Sequence, residues 1–390
     1  MTSIFVFYLF KPITISYTIS SMVKKKIGIL VTSNTYGGIG KLCAMMANDL
    51  SNQNNIVNIY IPILPYYTFY FKIFKKRFYW IRKLMPHYIM HFLYNRKFCF
   101  EHLIDKKKIN LGLIRIKFII KAISKKEISN LDCVILNGIA DVIQYQNFNN
   151  LRKIYLVNQI EEVVSGHRKL FQKTRNLFKG DVITHCNFMK RKLSGHVDNL
   201  RIVPNPISYG IWKFKNKINF KTERDEILIY WKSDRLYDDV YKILKKIREL
   251  RPKIKITIFA RSIFTNTIVK NLSNEFGTKL FFNLKEKSVA KLYLTHTFLL
   301  YPNRYEDFGM PPVEALACGC IPILNPKTGA ADMYSENNFN SIHLTYDVRI
   351  DVKNILSKLE NNQELIKLKK NAVKNIKQFN PKNYGAKILN

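Results

Sequence analysis

Near its N-terminal end the chain reads Ile27-Gly-Ile-Leu-Val31, a short apolar run bounded by charge on one side and turn residues on the other. That is the pattern of a strand buried on both faces of a parallel sheet. Thr35-Tyr-Gly-Gly-Ile-Gly40 follows, then a helical pattern through Leu50, then a second apolar run from Ile56 to Ile61. Strand, glycine-rich turn, helix and strand make a βαβ unit, which commits the chain to an open α/β sheet with ligands bound at the carboxyl ends of its strands. The turn fits neither common nucleotide loop. A Walker A loop needs Gly at position 35 and Ser or Thr after Lys41, where this chain has Thr35 and Leu42, and glycines at 37, 38 and 40 miss the dinucleotide spacing. A glycine turn facing a cleft and a plain tight turn both remain as readings.

The same rhythm continues. Val134 to Leu136, Ile154 to Val157 and Val182 to His185 read as short strands, and Phe188 to Leu193 opens a helix. Arg201-Ile-Val-Pro-Asn-Pro-Ile207 is a proline-rich stop of the kind that joins domains. A second α/β series starts at Ile227 to Trp231 and continues with a helix (Val240 to Leu250) and strands at Ile254 to Phe259 and Lys279 to Phe282. A helix (Ser288 to Leu294) and strands at Phe298 to Tyr301 and Ile321 to Leu324 follow, and helical pattern runs from Val352 to Phe379. With 390 residues, too many for one hydrophobic core, the reading is two Rossmann-like domains facing each other across a deep cleft. The boundaries expected are 23–205 for the first domain, 206–375 for the second, and 376–390 for a C-terminal helix crossing back. Residues 1–22 read as an upstream extension or disordered segment, since Ile4 to Phe10 is cut off by Lys11-Pro12 and lacks the order of a signal peptide.

Charge narrows the partners. Lys and Arg number 64 against 28 Asp and Glu, a net +36, which calls for an anionic partner. The excess is concentrated: residues 71–126 hold 16 basic residues against Glu101 and Asp105, a net +14. This block overlaps an aromatic run from Tyr66 to Trp80, so 66–126 forms one basic aromatic segment. Helical spacing would place Phe71, Phe74 and Phe78 on one face and Lys72, Lys75, Lys76 and Arg77 around the other. Three readings stand: a helix lying in an anionic membrane interface, an ordinary domain helix with a solvated basic face, and a grip on single-stranded nucleic acid. Six scattered cysteines (Cys43, Cys99, Cys133, Cys186, Cys318, Cys320) suit a reducing compartment, and Cys318-Gly-Cys320 has no second pair to make a zinc site. No apolar stretch is long enough to span a bilayer.

The strongest chemical pattern is Tyr301-Pro-Asn-Arg-Tyr-Glu-Asp-Phe-Gly-Met-Pro-Pro-Val-Glu-Ala-Leu-Ala-Cys-Gly-Cys320. A strand ends, a loop carries Glu306-Asp307-Phe308-Gly309, a helix opens at Pro311-Pro312 and Gly319 stops it. A helix N-terminus at the carboxyl end of a parallel strand presents N–H groups, at Met310 and its neighbours, to a phosphate. Glu314, read as lying in the first turn, can accept from sugar hydroxyls beside that phosphate, and Glu306 can reach a second group.

The string Glu306-Asp-Phe-Gly-Met-Pro-Pro-Val-Glu314-Ala-Leu-Ala-Cys-Gly resembles the E-x7-E motif of group 1, family 4 retaining glycosyltransferases. Tyr36-Gly-Gly-Ile-Gly40 resembles that family's first glycine-rich loop, and Thr184-His-Cys-Asn-Phe-Met-Lys-Arg191 its S-x-x-x-K helix start. Val203-Pro-Asn-Pro-Ile207 resembles its interdomain joint, and Gly329-Ala-Ala-Asp332 the glycine-rich turn after its motif helix. The resemblance implies the GT-B fold, with an acceptor domain followed by a nucleotide-sugar domain. It implies transfer of a sugar from a nucleotide-sugar to an acceptor with retention of configuration and without a divalent metal or other cofactor.

Residue by residue, the resemblance gives Glu306 the donor sugar's hydroxyls and Glu314 the nucleotide ribose. Phe308, Gly309 and Met310 would present backbone to the sugar and diphosphate, and Gly37 and Gly38 would close on the diphosphate or acceptor from the first domain. Asp307 replaces the family's common glycine and bears on sugar selectivity. The family's G-R-x-x-x-x-K-G stretch is replaced by Tyr230-Trp-Lys-Ser-Asp-Arg-Leu-Tyr-Asp, leaving Lys232 and Arg235 as the catalytic cations. Where the family often has a first-domain His, Asn158-Gln159 holds the strand end, and His167 is the nearest His read from the sequence. The expected enzyme is a hexosyltransferase type on the inner face of the cell membrane, cytoplasmic and peripheral, with a lipid-linked or envelope glycan acceptor. A soluble sugar or polysaccharide acceptor is the alternative. A nucleic-acid binder is the remote one, and no nucleic-acid partner is expected.

Overall fold

The computed structural model describes residues 25–31, 38–62, 113–119, 123–138, 141–142, 145, 148, 150–158, 180–197, 199–214, 226–232, 234–260, 266–304 and 306–390. Residues 1–22, Gly37, Gln159, His167 and most of the basic aromatic block 66–126 lie outside them.

In the first domain the chain runs β1 (Lys26–Leu30), α1 (Gly38–Asn52), β2 (Ile56–Pro62), β3 (Ile114–Ile119), α2 (Lys125–Ile128), β4 (Cys133–Leu136), β5 (Arg152–Leu156), β6 (Asp181–Thr184), α3 (Asn187–Leu193) and β7 (Leu200–Ile202). The seven strands form one sheet in the order β3-β2-β1-β4-β5-β6-β7, and every pairing is parallel. Ile27, Ile29 and Leu30 of β1 are fully buried, as a parallel strand covered on both faces must be.

After α4 (Tyr209–Trp212) the second domain follows: β8 (Glu226–Trp231), α5 (Tyr237–Leu250), β9 (Lys255–Ala260), α6 (Asn266–Glu275), β10 (Lys279–Phe282), α7 (Glu286–Thr295), β11 (Phe298–Tyr301), α8 (Met310–Ala317), β12 (Ile321–Leu324), α9 (Gly329–Tyr334), β13 (Ile342–His343), α10 (Val348–Glu360), α11 (Asn362–Lys374) and α12 (Tyr384–Leu389). Its six-stranded parallel sheet has the order β10-β9-β8-β11-β12-β13. The helices follow from their residues. In α5, Val240, Ile243, Leu244 and Ile247 recur at helical spacing and are all buried, while Asp238 and Asp239 in the first turn complement the positive end of the helix dipole.

Three elements differ from the sequence expectation. The run from Val352 to Phe379 is not one helix. Asn361 leaves helical geometry, its side chain accepts from the Glu364 N–H at 3.1 Å, and it caps α11 as a fresh start, with a 3₁₀ turn at Asn375–Phe379. Gly329-Ala-Ala-Asp332 is not a turn but the start of α9, because the Thr328 hydroxyl accepts from Ala331 N–H and caps it. The third is β3, which lies inside the basic block. Arg115 and Lys117 alternate along it with Ile114 and Ile116, so the strand is paired through its backbone while its sequence reads as charge.

The domains are sewn together at several points. One apolar cluster is continuous from Leu136 and Tyr155 on the first sheet and Met189 of α3 through Ile207, Phe308 and Phe379 to Leu228 and Leu299 on the second sheet. Asp332 of α9 reaches across to cap α3, accepting from Phe188 N–H at 2.6 Å and from Arg191 Nη2 at 2.6 Å. The chain passes between the domains at Val203–Ile207 and again after Phe379, and the two passages are bonded: Ile207 N–H donates to the Phe379 carbonyl oxygen at 2.9 Å, and Tyr209 Oη to that of Pro381 at 3.3 Å. Beyond the second passage α12 lies on α1, held by Asp49, whose carboxylate accepts from Asn383, Gly385 and Ala386 N–H groups.

Candidate active site

The two domains enclose a cleft cavity of about 270 Å³, walled on one side by α1 and Asn158 and on the other by the ends of β8 and β11 and the start of α8. The second-domain wall is built from one short stretch of chain. β11 ends at Tyr301, and the loop that follows is pinned outward by Arg304, which forms a two-pronged pair with Asp239 (2.9 and 2.8 Å) and lies 3.6 Å from the centre of the Tyr346 ring. The loop then turns inward at Glu306. Gly309 ends it at φ 86°, a left-handed conformation that favours glycine, and an added Cβ there would press on Glu306 Cγ at 3.0 Å.

Glu306 is the focus. A single oxygen, Oε2, accepts from Lys232 Nζ at 2.5 Å, Tyr301 Oη at 2.6 Å and Asn303 Nδ2 at 2.9 Å. The side chain is 15% exposed, and Lys232, just past the end of β8, is 44% exposed. Burial, reinforced by the Glu306 charge, pushes the Tyr301 phenol well above its ordinary range, so it stays protonated and donating. The Tyr301 ring stacks on Tyr230 at 5.9 Å and 19°. A carboxylate held by three donors on one oxygen is fixed in place and still keeps acceptor capacity on the other.

Glu314 lines the same cavity, but it lies one residue deeper in the helix than expected. Because α8 begins at Met310, directly after Gly309, Glu314 is its fifth residue and belongs to the second turn. Tyr293 Oη donates to its Oε2 in a long contact at 3.5 Å. Burial, with the Glu314 charge second, raises the Tyr293 phenol and keeps it protonated too. The helix start is also poorer in donors than the sequence reading held. Pro311 and Pro312 follow Met310 in its first turn and carry no N–H, so Met310 and the cap residue Gly309 are what remain of that end's open donors.

The other expected residues divide. Phe308, Gly309 and Met310 line the cavity beside Glu306 and Glu314. Phe308 is 5% exposed and edges against His185, Tyr334 and Phe379, so its ring is interdomain packing as well as cleft wall. Asp307 is not among the described lining residues. Its backbone carbonyl accepts from the Cys186 thiol at 3.6 Å, which turns this residue toward α3. Arg235 also misses the cleft: it sits exposed on the 3₁₀ turn Asp234–Leu236, one turn beyond Lys232. Of the two proposed cations, Lys232 alone meets Glu306. Gly38 opens α1, and Gly37 lies outside the described residues.

The first-domain wall holds Asn158, named from the sequence only as the residue at the strand end, and side chains with no role assigned from the sequence. Asn158, at the end of β5, lines the cavity, with His185 behind it. His185 is fully buried, with Nδ1 3.2 Å from the Val203 carbonyl oxygen and Nε2 3.1 Å from the Asn158 carboxamide. Burial lowers its pKa to about 4, so the ring is neutral and works as a prop for Asn158. Lys41 of α1 bridges the cleft to Glu286 at the start of α7, 2.7 Å apart. Tyr301 and Asn303 could have been flagged, since they flank Glu306 in one string; nothing in the sequence marks Glu286. Among the described residues no three His, Cys, Asp or Glu side chains are grouped to hold a metal, and no helix is long and apolar enough to cross a membrane.

Two parallel α/β domains with a polar cleft at their strand ends define the GT-B class of folds. Solved structures agree on the fold: a glycosyltransferase from Rickettsia africae is 13% identical with a TM-score of 0.67, covering 94% of this chain and 97% of its own. HepE of Anabaena, solved with UDP and glucose, is 12% identical with a TM-score of 0.63, covering 94% and 98%. Residues 211–379, which contain every second-domain side chain described above, match the family model of glycosyl transferases group 1. A candidate glycosyltransferase, number 41 of Sulfolobus islandicus filamentous virus, is 27% identical over 198 residues, 43% of this chain and 58% of that relative's length.

Proposed function

We propose that the protein is a retaining glycosyltransferase that moves a hexose-type sugar from a nucleotide-sugar to an acceptor held at a membrane surface, a lipid-linked or envelope glycan. The observation that carries the reading is the fixed Glu306 carboxylate beside the start of α8, at the carboxyl end of β11. Glu306 accepts from the donor sugar's hydroxyls, and Glu314 from the nucleotide ribose. The bond between the anomeric carbon and the diphosphate breaks with its electron pair going to the phosphate oxygen. The acceptor oxygen forms the new bond on the same face, and its proton leaves on the departing diphosphate. The charge that develops there is met without a divalent metal by Lys232 and the Met310 N–H, fixed charges in a partly dry site.

The membrane part of the reading rests on the net +14 of residues 71–126 and the aromatics that overlap them. It places the enzyme on the cytoplasmic face.

The test is release of nucleoside diphosphate from a panel of nucleotide-sugars by wild type and Glu306→Ala, with circular dichroism as the folding control. The variant is expected to lose about a thousandfold in turnover while staying folded. Unchanged turnover sinks the assignment. Co-sedimentation with anionic phospholipid vesicles at moderate salt decides the acceptor: binding supports the membrane reading, and its absence favours a soluble sugar acceptor. Turnover that collapses on adding EDTA would remove the metal-free mechanism.

A further inference from the structure

The cavity that holds Glu306 has two described cations on its walls, Lys41 and Lys232, against three carboxylates, Glu286, Glu306 and Glu314. In a chain of net charge +36 this local excess of negative charge is unexpected, and it is the wrong sign for a diphosphate. Lys232 is already committed to Glu306 at 2.5 Å. Arg235 stands outside the cleft, and two prolines take donors from the start of α8. Among the described residues, the second domain is therefore short of positive charge where a nucleoside diphosphate would sit.

The other cation comes from the opposite wall. Lys41 lies in the first turns of α1, a 15-residue helix whose positive end faces the cleft. Its side chain is 15% exposed and its ammonium lies 2.7 Å from Glu286 Oε1, which is 27% exposed. Glu286 is itself wedged against α4: a Cβ on Gly210 would meet its other carboxylate oxygen at 2.0 Å, so the glycine is what lets the carboxylate lie there. The pair is largely shielded, so breaking it would leave an uncompensated charge unless another anion takes the ammonium. The open cleft lets a ligand anion do that while water reaches the partly exposed carboxylate.

We propose that Lys41 is the first-domain cation that binds the diphosphate of the nucleotide-sugar, with Glu286 as its exchangeable holding partner on the second domain. The proposal rests on the glycosyltransferase reading above and deepens it: one residue of the first domain joins the donor site. Because the ligand must compete with Glu286 for the same ammonium, the two carboxylate-like groups oppose each other. Diphosphate draws Lys41 from Glu286, and Glu286 weakens diphosphate.

Calorimetric binding of UDP, ADP and uridine to the full chain tests this, using wild type, Lys41→Met, Lys41→Arg and Glu286→Gln. Lys41→Met is expected to weaken whichever diphosphate binds by about tenfold or more, the loss of one charge-assisted contact, with uridine affinity unchanged. Lys41→Arg restores most of it. Glu286→Gln breaks the same ion pair yet is expected to tighten diphosphate binding, because it removes the competitor. If the pair were only a strut between the domains, Glu286→Gln and Lys41→Met would weaken binding alike, and that result overturns the proposal. Equal diphosphate affinity in wild type and Lys41→Met overturns it as well, while leaving the glycosyltransferase reading intact. GDP and dTDP join the same series, and a wild type that binds none of UDP, ADP, GDP and dTDP overturns both together.

Discussion

The two walls of the cleft are built in opposite ways. The second-domain wall comes from one strand, one loop and one helix start, with Tyr301, Asn303, Glu306, Gly309 and Glu314 all within fourteen positions of chain. Its polar groups converge, three donors on a single carboxylate oxygen. The first-domain wall gathers Lys41 from α1, Asn158 from the end of β5, 117 positions later (158 − 41), and His185 from behind it, 27 positions further on. Its polar groups are propped from below by burial. A wall made of contiguous chain can be specified by a motif; a wall made of separated strand ends is specified by the sheet that aligns them.

The contrast can be broken or sharpened by measurement. The largest effect should come from acid and strike the first-domain wall. His185 has a folded-state pKa near 4 against an ordinary value of 6.5, so below pH 6.5 the unfolded chain binds a proton that the folded one refuses. Stability contributed by the neutral buried ring is intact above pH 6.5 and is lost as pH falls toward 4, about 2 kcal/mol of it by pH 5. Urea midpoints at pH 7.5 and 5 should show this drop, and His185→Gln should flatten it; an equal drop in the variant would mean that the ring is not the cause. On the second-domain wall, Tyr301→Phe removes one of the three donors to Glu306 and keeps the stack on Tyr230. A fall of about tenfold in kcat is expected, and unchanged kcat would show that two donors are enough to fix the carboxylate. The smallest effect belongs to Arg235→Ala, under about twofold in kcat/KM, since an exposed residue outside the cleft changes little. A large loss there would return Arg235 to the site.

What could be read from the sequence follows the same division. The β11–loop–α8 string carries its own geometry, so its sequence alone points Glu306, Glu314 and Gly309 to one site, and all three line one cavity. The errors within it were local. Taking Pro311 rather than Met310 as the helix start put Glu314 in the first turn, and counting neighbours of Met310 as donors overlooked that two of them are prolines. Lys232 and Arg235 were indistinguishable as nearby cations, because three residues of chain become a full turn of 3₁₀ helix that carries Arg235 out of the cleft. The cross-cleft pair of Lys41 and Glu286 left no trace in either local sequence, being an encounter between domains 245 positions apart. The split of the last long helical run was similarly hidden: its apolar spacing is right for helix, and one asparagine cap decides against continuity.

The bonded passages between the domains carry a further consequence. Chain crosses at Val203–Ile207 and again after Phe379, and the Ile207 to Phe379 and Tyr209 to Pro381 hydrogen bonds lay the two crossings side by side. Two strips fastened along one edge behave as a door hinge: the leaves can swing about that line, and sliding past one another would tear the fastening. Any separation of Lys41 from Glu286 that leaves both bonds intact would therefore have to turn about the line of the two crossings.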